Sequence, residues 1–334
     1  MTTFIGRQRN VGIGKETVRG TAVPATAWFP AIEFSNDDKI VQAINESSLG
    51  VISDADNAEI VKKFSEAELT AKADNEIFGL IALATLGGEA TPALVAGETV
   101  VYDHLFQLAQ SAQHPTLTIG IEEPNATGAS GLEYALCGVD NLEIVAEIEK
   151  FVQYTVSFVG NANGTTTHSP SYVEENVFLP QHCEVTLYAD WTDLGTNTGG
   201  TVYPFKKVSI SFAKNLEDDQ VLGDITASDR LNKQFAIEGT LELLYNDRVL
   251  IDDVLLSDVA QAMKIKIANP AVLLGVASAP EIEIDLAKVK FTEIAREQAN
   301  NDLVKQSVTF KGFYSIADSV QAEIRLRNLQ ASAY

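Results

Sequence analysis

The 334-residue sequence predicts a mainly β protein, built as two tandem copies of one unit with one α-helix in each. Three observations carry that expectation. Several segments alternate polar and apolar residues with period two, the mark of a strand buried on one face only. Helical patterning is confined to two short stretches, residues 75–86 and 246–261. Four of the patterned segments recur in the same order in the two halves.

Taken in chain order, Phe29-Pro-Ala-Ile-Glu-Phe-Ser-Asn-Asp-Asp38 reads as a strand, and residues 205–219 repeat it, again running into Asp218-Asp219. Lys63-Phe64 opens a strand that passes Asp74-Asn75 into an apolar helix; Gln234-Phe235 opens its counterpart, which passes Asn246-Asp247. Asn75 and Gly87-Gly88 are suitable caps for the first helix. Phe151-Val-Gln-Tyr-Thr-Val-Ser-Phe-Val-Gly160 matches Leu303-Val-Lys-Gln-Ser-Val-Thr-Phe-Lys-Gly312, with Val, Val, Phe and Gly coincident and Thr and Ser exchanged. Cys183-Glu-Val-Thr-Leu187 echoes Ala322-Glu-Ile-Arg-Leu326. Any single match is weak, because strands draw on a small alphabet. Four in one order indicate a duplicated unit. The units are expected at residues 1–190 and 191–334, with the boundary inside 161–202. The strand at 183–189 either closes the first or opens the second. Residues 36–59 read as a long polar loop inserted in the first unit; residues 215–230 span the equivalent gap with fewer residues.

Charge narrows the function. The 46 acidic and 24 basic residues give a formal net charge of -22. Nucleic-acid binding draws on lysine and arginine displacing counterions, so so acidic a surface repels phosphate at long range. That is compatible with DNA that passes without adhering, and with simple solubility. The two cysteines, Cys137 and Cys183, have no metal or redox spacing and fit a reducing cytoplasm. The N-terminal residues lack the apolar core of a signal peptide, and no apolar run approaches the ~20 residues of a membrane span. A soluble product made in the cytoplasm is expected, with no membrane partner.

No constellation of side chains points to chemistry. His104, His114, His168 and His182 lie in separate segments and read as surface or turn residues. Asp54 and Asp56 resemble the start of a calcium loop, but its glycine and closing Glu are missing. Gly12-Ile-Gly-Lys15 has Arg9 where a phosphate loop needs glycine and Glu16 where it needs Ser or Thr, so its glycines are assigned to a turn beside a strand. Paired carboxylates such as Glu122-Glu123 and Asp252-Asp253 are uninformative in so acidic a chain. No catalytic, metal or cofactor-binding residue is assigned, no cofactor is expected, and the chain is read as non-enzymatic.

The segment Val11-Gly-Ile-Gly-Lys-Glu-Thr-Val-Arg-Gly-Thr-Ala-Val-Pro-Ala-Thr-Ala-Trp28-Phe-Pro30 resembles the tail tube proteins of siphophages, long-tailed bacteriophages, in which a G-x-x-K-E-T-x-x-G-T-A-V stretch precedes an aromatic-Pro strand. The resemblance continues through Ser48-Leu-Gly-Val-Ile52 and Val61-Lys-Lys-Phe64 to Leu86-Gly87 and is specific over the first quarter of the chain. It implies two tandem β-sandwich tail-tube-like domains, each with a flanking α-helix. It also implies a structural virion protein of the tail whose inner sheets join into a barrel around a DNA channel. Six domains surround such a channel, so a two-domain chain should form homotrimeric, pseudo-hexameric rings. Implied partners are copies of itself, the tape measure protein, tail tip and baseplate proteins, and viral DNA in transit without specific binding.

Strand faces then suggest placements. Glu66, Glu68, Thr70 and Lys72 share one face; so do Gln153, Thr155 and Ser157, then Glu238, Thr240 and Glu242, and finally Lys305, Ser307 and Thr309. These are expected to line the channel. Ile44, Leu49, Val51 and Ile52 are apolar members of the polar insertion and are expected to join stacked rings. The rival readings are a baseplate hub or distal tail protein of the same fold, a surface or carbohydrate-binding β module, and, third, an enzyme.

Overall fold

The alternation in the sequence becomes strands that bury every second residue, and the protein is 53% strand and 7% helix. A computed structural model describes residues 4–125, 128–174, 176–244, 254–297 and 303–334. The first half contains β1 (Asn10–Lys15), β2 (Ala27–Phe29), β3 (Glu33–Asn45), β4 (Asn57–Lys72), α1 (Phe78–Leu86), β5 (Gly87–Glu89), β6 (Ala93–Leu94), β7 (Tyr102–Leu108), β8 (Leu117–Asn125), β9 (Gly128–Glu147), β10 (Gln153–Gly160) and β11 (Gly164–Thr166). There follow β12 (Cys183–Tyr188), α2 (Trp191–Thr196), β13 (Thr201–Tyr203), β14 (Phe205–Ala213), β15 (Leu216–Asp219), β16 (Asp229–Asn232), β17 (Ala236–Leu244), β18 (Gln261–Ala268), β19 (Glu281–Glu297), β20 (Lys305–Phe313) and β21 (Ala322–Asn328).

Eight strands form one continuous antiparallel run, in the order β3-β4-β10-β9-β14-β17-β20-β19. The long strands β9 and β19 serve two sheets. The N-terminal part of β9 pairs with β8 and β11, and β1 pairs with both β8 and β2. The N-terminal part of β19 pairs with β18 and β21, while β12 pairs with both β18 and β13. Each long strand carries a one-residue bulge where it faces its hairpin partner: Asp140 is skipped opposite Ser157 and Phe158, and Thr292 opposite Thr309 and Phe310. Bulges bend and twist the strand that holds them, which lets one strand pass between layers. The apolar faces of the layers meet in one core cluster that includes Ile13, Ile121, Leu142, Val156, Phe212, Leu241, Ile284 and Phe310.

The pairings β1–β2, β1–β8, β8–β9, β9–β10, β10–β4 and β4–β3 recur in the second half as β12–β13, β12–β18, β18–β19, β19–β20, β20–β17 and β17–β14. Leu69 stands opposite Val156 and Leu241 opposite Val308, so Leu69 corresponds to Leu241. That is one residue off the sequence match of Phe64 with Phe235. Among the described residues β12 pairs only with β13 and β18, whereas β21 lies between β19 and β7. The likeness of 183–187 to 322–326 therefore joins strands at different places in the topology.

Helix α1 starts at Phe78, three residues later than expected. Asp74 sets that start: its carboxylate accepts hydrogen bonds from the backbone N–H groups of Glu76, Ile77 and Phe78. Burial raises the Asp74 pKa to about 6 against those three donors. Gly87, with φ 89°, ends the helix in the left-handed region. All nine residues of α1 are buried, so it is a core helix and not an outer flank. Most of the helix expected at 246–261 falls on residues 245–253, outside the described residues; 254–255 are π-helical, 256–258 form a turn and Gln261 already belongs to β18. The described α-helix of the second half is α2, whose N-cap Asp190 accepts from the Asp193 N–H at 2.9 Å.

Gly12 and Gly14 lie within β1 and make no turn. A Cβ at Gly12 would sit 2.7 Å from the Trp28 ring, and one at Gly14 would sit 2.4 Å from the Pro24 carbonyl oxygen. They permit the close return of residues 23–28 across the strand. His104 and His114 are buried, contrary to the surface placement expected from sequence. His104 lies 2.8 Å from Glu89 and 2.9 Å from the Gln330 carbonyl oxygen, between Phe106 and Tyr334.

Candidate functional site

The eight-stranded run has one apolar face in the core and one polar face in solvent. Partners directly opposite one another in a sheet share a face, so the pairings place the side chains unambiguously. Glu68 faces Ser157, Thr70 faces Thr155 and Lys72 faces Gln153, while Glu66 lies on the same side of β4. Thr240 faces Thr309 and Glu242 faces Ser307, with Glu238 and Lys305 on the same sides of their strands. All thirteen residues expected on one surface are therefore on one face of one sheet. Thr70 and Thr155 hydroxyls join at 3.0 Å across β4 and β10.

The sheet adds residues to that face that the sequence reading left out. Strand β9 contributes Asn141, Glu143 and Glu147, and β14 contributes Lys207, Ser209 and Ser211. The Ser209 hydroxyl donates to Glu143 and the Ser211 hydroxyl to Asn141, both at 2.7 Å, so the seam between the halves is hydrogen-bonded on its polar side. Strand β3 contributes Glu33, Ser35 and Asp37. The signal for β14 was present as Lys-x-Ser-x-Ser; β9 was hidden because its role depends on partners far along the chain. Carboxylates outnumber lysines across the face, and several are neutralised locally: Lys311 pairs with Glu238 at 2.9 Å, Lys39 pairs with Glu66, and Lys150 pairs with Glu147 at 3.0 Å. The Lys150 hydrogen bond and charge hold the Glu147 carboxyl below its ordinary pKa.

Residues 36–59 are not a loop. Strands β3 and β4 stay paired up to Asn45 opposite Asn57, forming a hairpin arm that leaves the sheet beyond Asp38 and Ser65. Ile40, Val41, Ile44, Ile60 and Val61 are exposed along the arm. At its tip Leu49, Val51 and Ile52 are also exposed, Ile52 fully. The four residues expected to form contacts thus project from the molecule and do not dock on their own domain. The shorter hairpin β15–β16 stands at the equivalent place in the second half and exposes Val221, Leu222 and Ile225 at its turn. This hairpin meets the base of the arm through Lys62–Asp218 from its first strand and, from its turn, through the Ile225 carbonyl oxygen, which accepts from the Lys63 N–H at 2.7 Å.

A cleft of about 750 Å³ opens at the opposite end of the run, where the halves join. Phe151, Leu179, Tyr203 and Phe205 line it together with Glu147, Glu149, Lys150, Lys206 and Lys207. The run has two outer edges, β3 and the C-terminal part of β19. Among the described residues neither pairs with a further strand.

Asp54 and Asp56 lie in the exposed turn of the arm, and among the described residues no group of three or more His, Cys, Asp or Glu could hold a metal ion. Both cysteines are free, and burial raises each thiol pKa to about 12. Among the described residues no helix is long and apolar enough to cross a membrane.

The fold and these surfaces define a β-rich structural protein, one whose chemistry is spread over a polar face, an apolar arm and two open edges. Residues 6–312 match the family described as phage tail tube protein, and the chain belongs to that family. It is a virion protein of the phage tail, self-assembling into the tube and associated with other tail proteins. No curated protein matches it.

Proposed function

We propose that this chain is a non-enzymatic subunit of the tail tube, in which three copies close a pseudo-hexameric ring and rings stack around a channel for DNA. Each chain holds two units of the same topology, the second opening at Cys183. Supporting this reading above all is the eight-stranded run with one solvated polar face and two open edges. An open antiparallel edge is a template for another strand, and a head-to-tail contact whose rotation closes gives a ring. The tape measure protein, tail tip and baseplate proteins are the further partners in this reading.

The polar face is assigned to the channel wall. Its acidic excess opposes phosphate adhesion, because like charges in a narrow, partly screened space repel. Stacking is assigned to the arm. Its tip, residues 45–57, is apolar and acidic with no Lys or Arg. The cleft at the other end of the sheet combines aromatic side chains with Lys150, Lys206 and Lys207. Tip and cleft at opposite ends give the stack one polarity.

Phage carrying Glu68→Gln and Glu242→Gln should assemble tubes of normal length and eject DNA more slowly, read as ejection half-time after receptor triggering. Unchanged half-times would remove this face from the channel wall.

A further inference from the structure

The seam inside the chain is a template for the seam between chains, and it fixes which residues meet. Strand β14 lies along β9 with Ser209 opposite Val145, Ser211 opposite Glu143 and Ala213 opposite Asn141. On the topology described above, β3 occupies the place of β14 and β19 the place of β9, yet β3 and β19 are the outer edges of the run. Their exposure differs accordingly. Residues 141–145 of β9 alternate half-buried and buried beneath β14, whereas 293–297 of β19 are exposed apart from half-buried Ile294.

The bulges and hairpin pairings carry the register from one seam to the other. Val156 faces Leu142 and Val308 faces Ile294, so Leu142 corresponds to Ile294. Leu69 faces Phe34 and Leu241 faces Val208, so Phe34 corresponds to Val208. We infer that β3 of one copy adds to the C-terminal part of β19 of a second copy, with Lys39 opposite Glu293, Asp37 opposite Ala295 and Ser35 opposite Glu297. This rests on the ring reading and names the edges and register that close it.

Charge selects this register over its neighbours. A slip by one residue turns every side chain to the other face. A slip by two in either direction sets Asp37 opposite Glu297 or Glu293, like charges directly across a strand pair, which is unfavourable. In the inferred register Asp37 meets Ala295, and Lys39 sits between Glu66 of its own chain and Glu293 of the neighbour. On the core side Arg296 comes opposite Asn36 and diagonal to Asp38.

Zero-length carbodiimide coupling of assembled tubes tests the contact on the native protein. Within one chain Lys39 and Glu293 lie at opposite edges of an eight-stranded run, roughly 30 Å apart at the usual ~4.8 Å per strand, far beyond such a link. Tubes grown from mixed light and heavy isotope-labelled chains should give a Lys39–Glu293 linked peptide of mixed label, absent from monomer. Lys39→Glu should cut tube yield at least tenfold, and Lys39→Glu with Glu293→Lys should restore it. Rings that couple Lys39 to another carboxylate of the neighbour, with no rescue by the double variant, would overturn the register and leave the ring. Native chains that form no ring at all would overturn both.

Discussion

A chain lacking residues 46–54 is expected to remain as soluble subunits or single rings, with tube growth abolished. The arm is a two-stranded ribbon whose apolar residues are exposed on both sides, and an isolated ribbon of this kind is marginal in water. Apolar surface at Ile44, Leu49, Val51 and Ile52 gains stability only when another surface covers it. Removing the tip leaves the eight-stranded run untouched, since the run ends near Asp38 and Ser65. Ring formation and folding should therefore survive while stacking is lost. Negative-stain microscopy of the purified deletion variant checks this, with sedimentation to detect rings. Normal tubes would remove the arm from the stacking contact and leave its exposed apolar side chains unexplained.

Replacing Arg230 is expected to be the most damaging single substitution for folding. Its side chain is fully buried. The guanidinium donates from Nε to Asp218 at 2.8 Å, from Nη1 to the Leu136 carbonyl oxygen at 2.8 Å and from Nη2 to the Gly160 carbonyl oxygen at 2.9 Å. It ties the β15–β16 hairpin to β9 near its bulge and to the end of β10. Arg230→Ala leaves three acceptors without that donor and a cavity behind them, a loss of about 3–5 kcal/mol on the scale of broken buried ion pairs. Arg230→Lys keeps the charge but not the planar fork, and should fall between. Equilibrium unfolding in urea, comparing midpoints at constant slope, measures both. A loss under ~1 kcal/mol for Arg230→Ala would show that the hairpin is not anchored through this residue.

Much of the sheet was legible because half-buried strands advertise themselves by alternation. Gln153–Gly160, Phe205–Ala213 and Lys305–Phe313 are strands where period two placed them. The arm was not legible for the complementary reason. Ile40-Val41 and Ile60-Val61 are adjacent apolar pairs, and a ribbon exposed on both faces has no buried side to impose alternation. Helix α1 was visible from its apolar run, but its cap was misread because Asp74, not Asn75, supplies the carboxylate that the first N–H groups meet. The buried histidines could not be foreseen either: the partners of His104 are Glu89 and Gln330, the latter reached only through the fold. The candidate face was half legible. Residues on β4, β10, β17 and β20 announced it, whereas Glu143 and Asn141 join it only once β9 is known to run between β10 and β14.

The ring itself is the most direct test. Native mass spectrometry of rings released from tubes, or formed by the tip-deleted chain, should give three copies of the 36.1 kDa chain if, as proposed, each copy contributes two units to a sixfold arrangement. Six chains per ring would mean that the repeated strand pairings do not act as two equivalent ring positions, and the account built on them would fail.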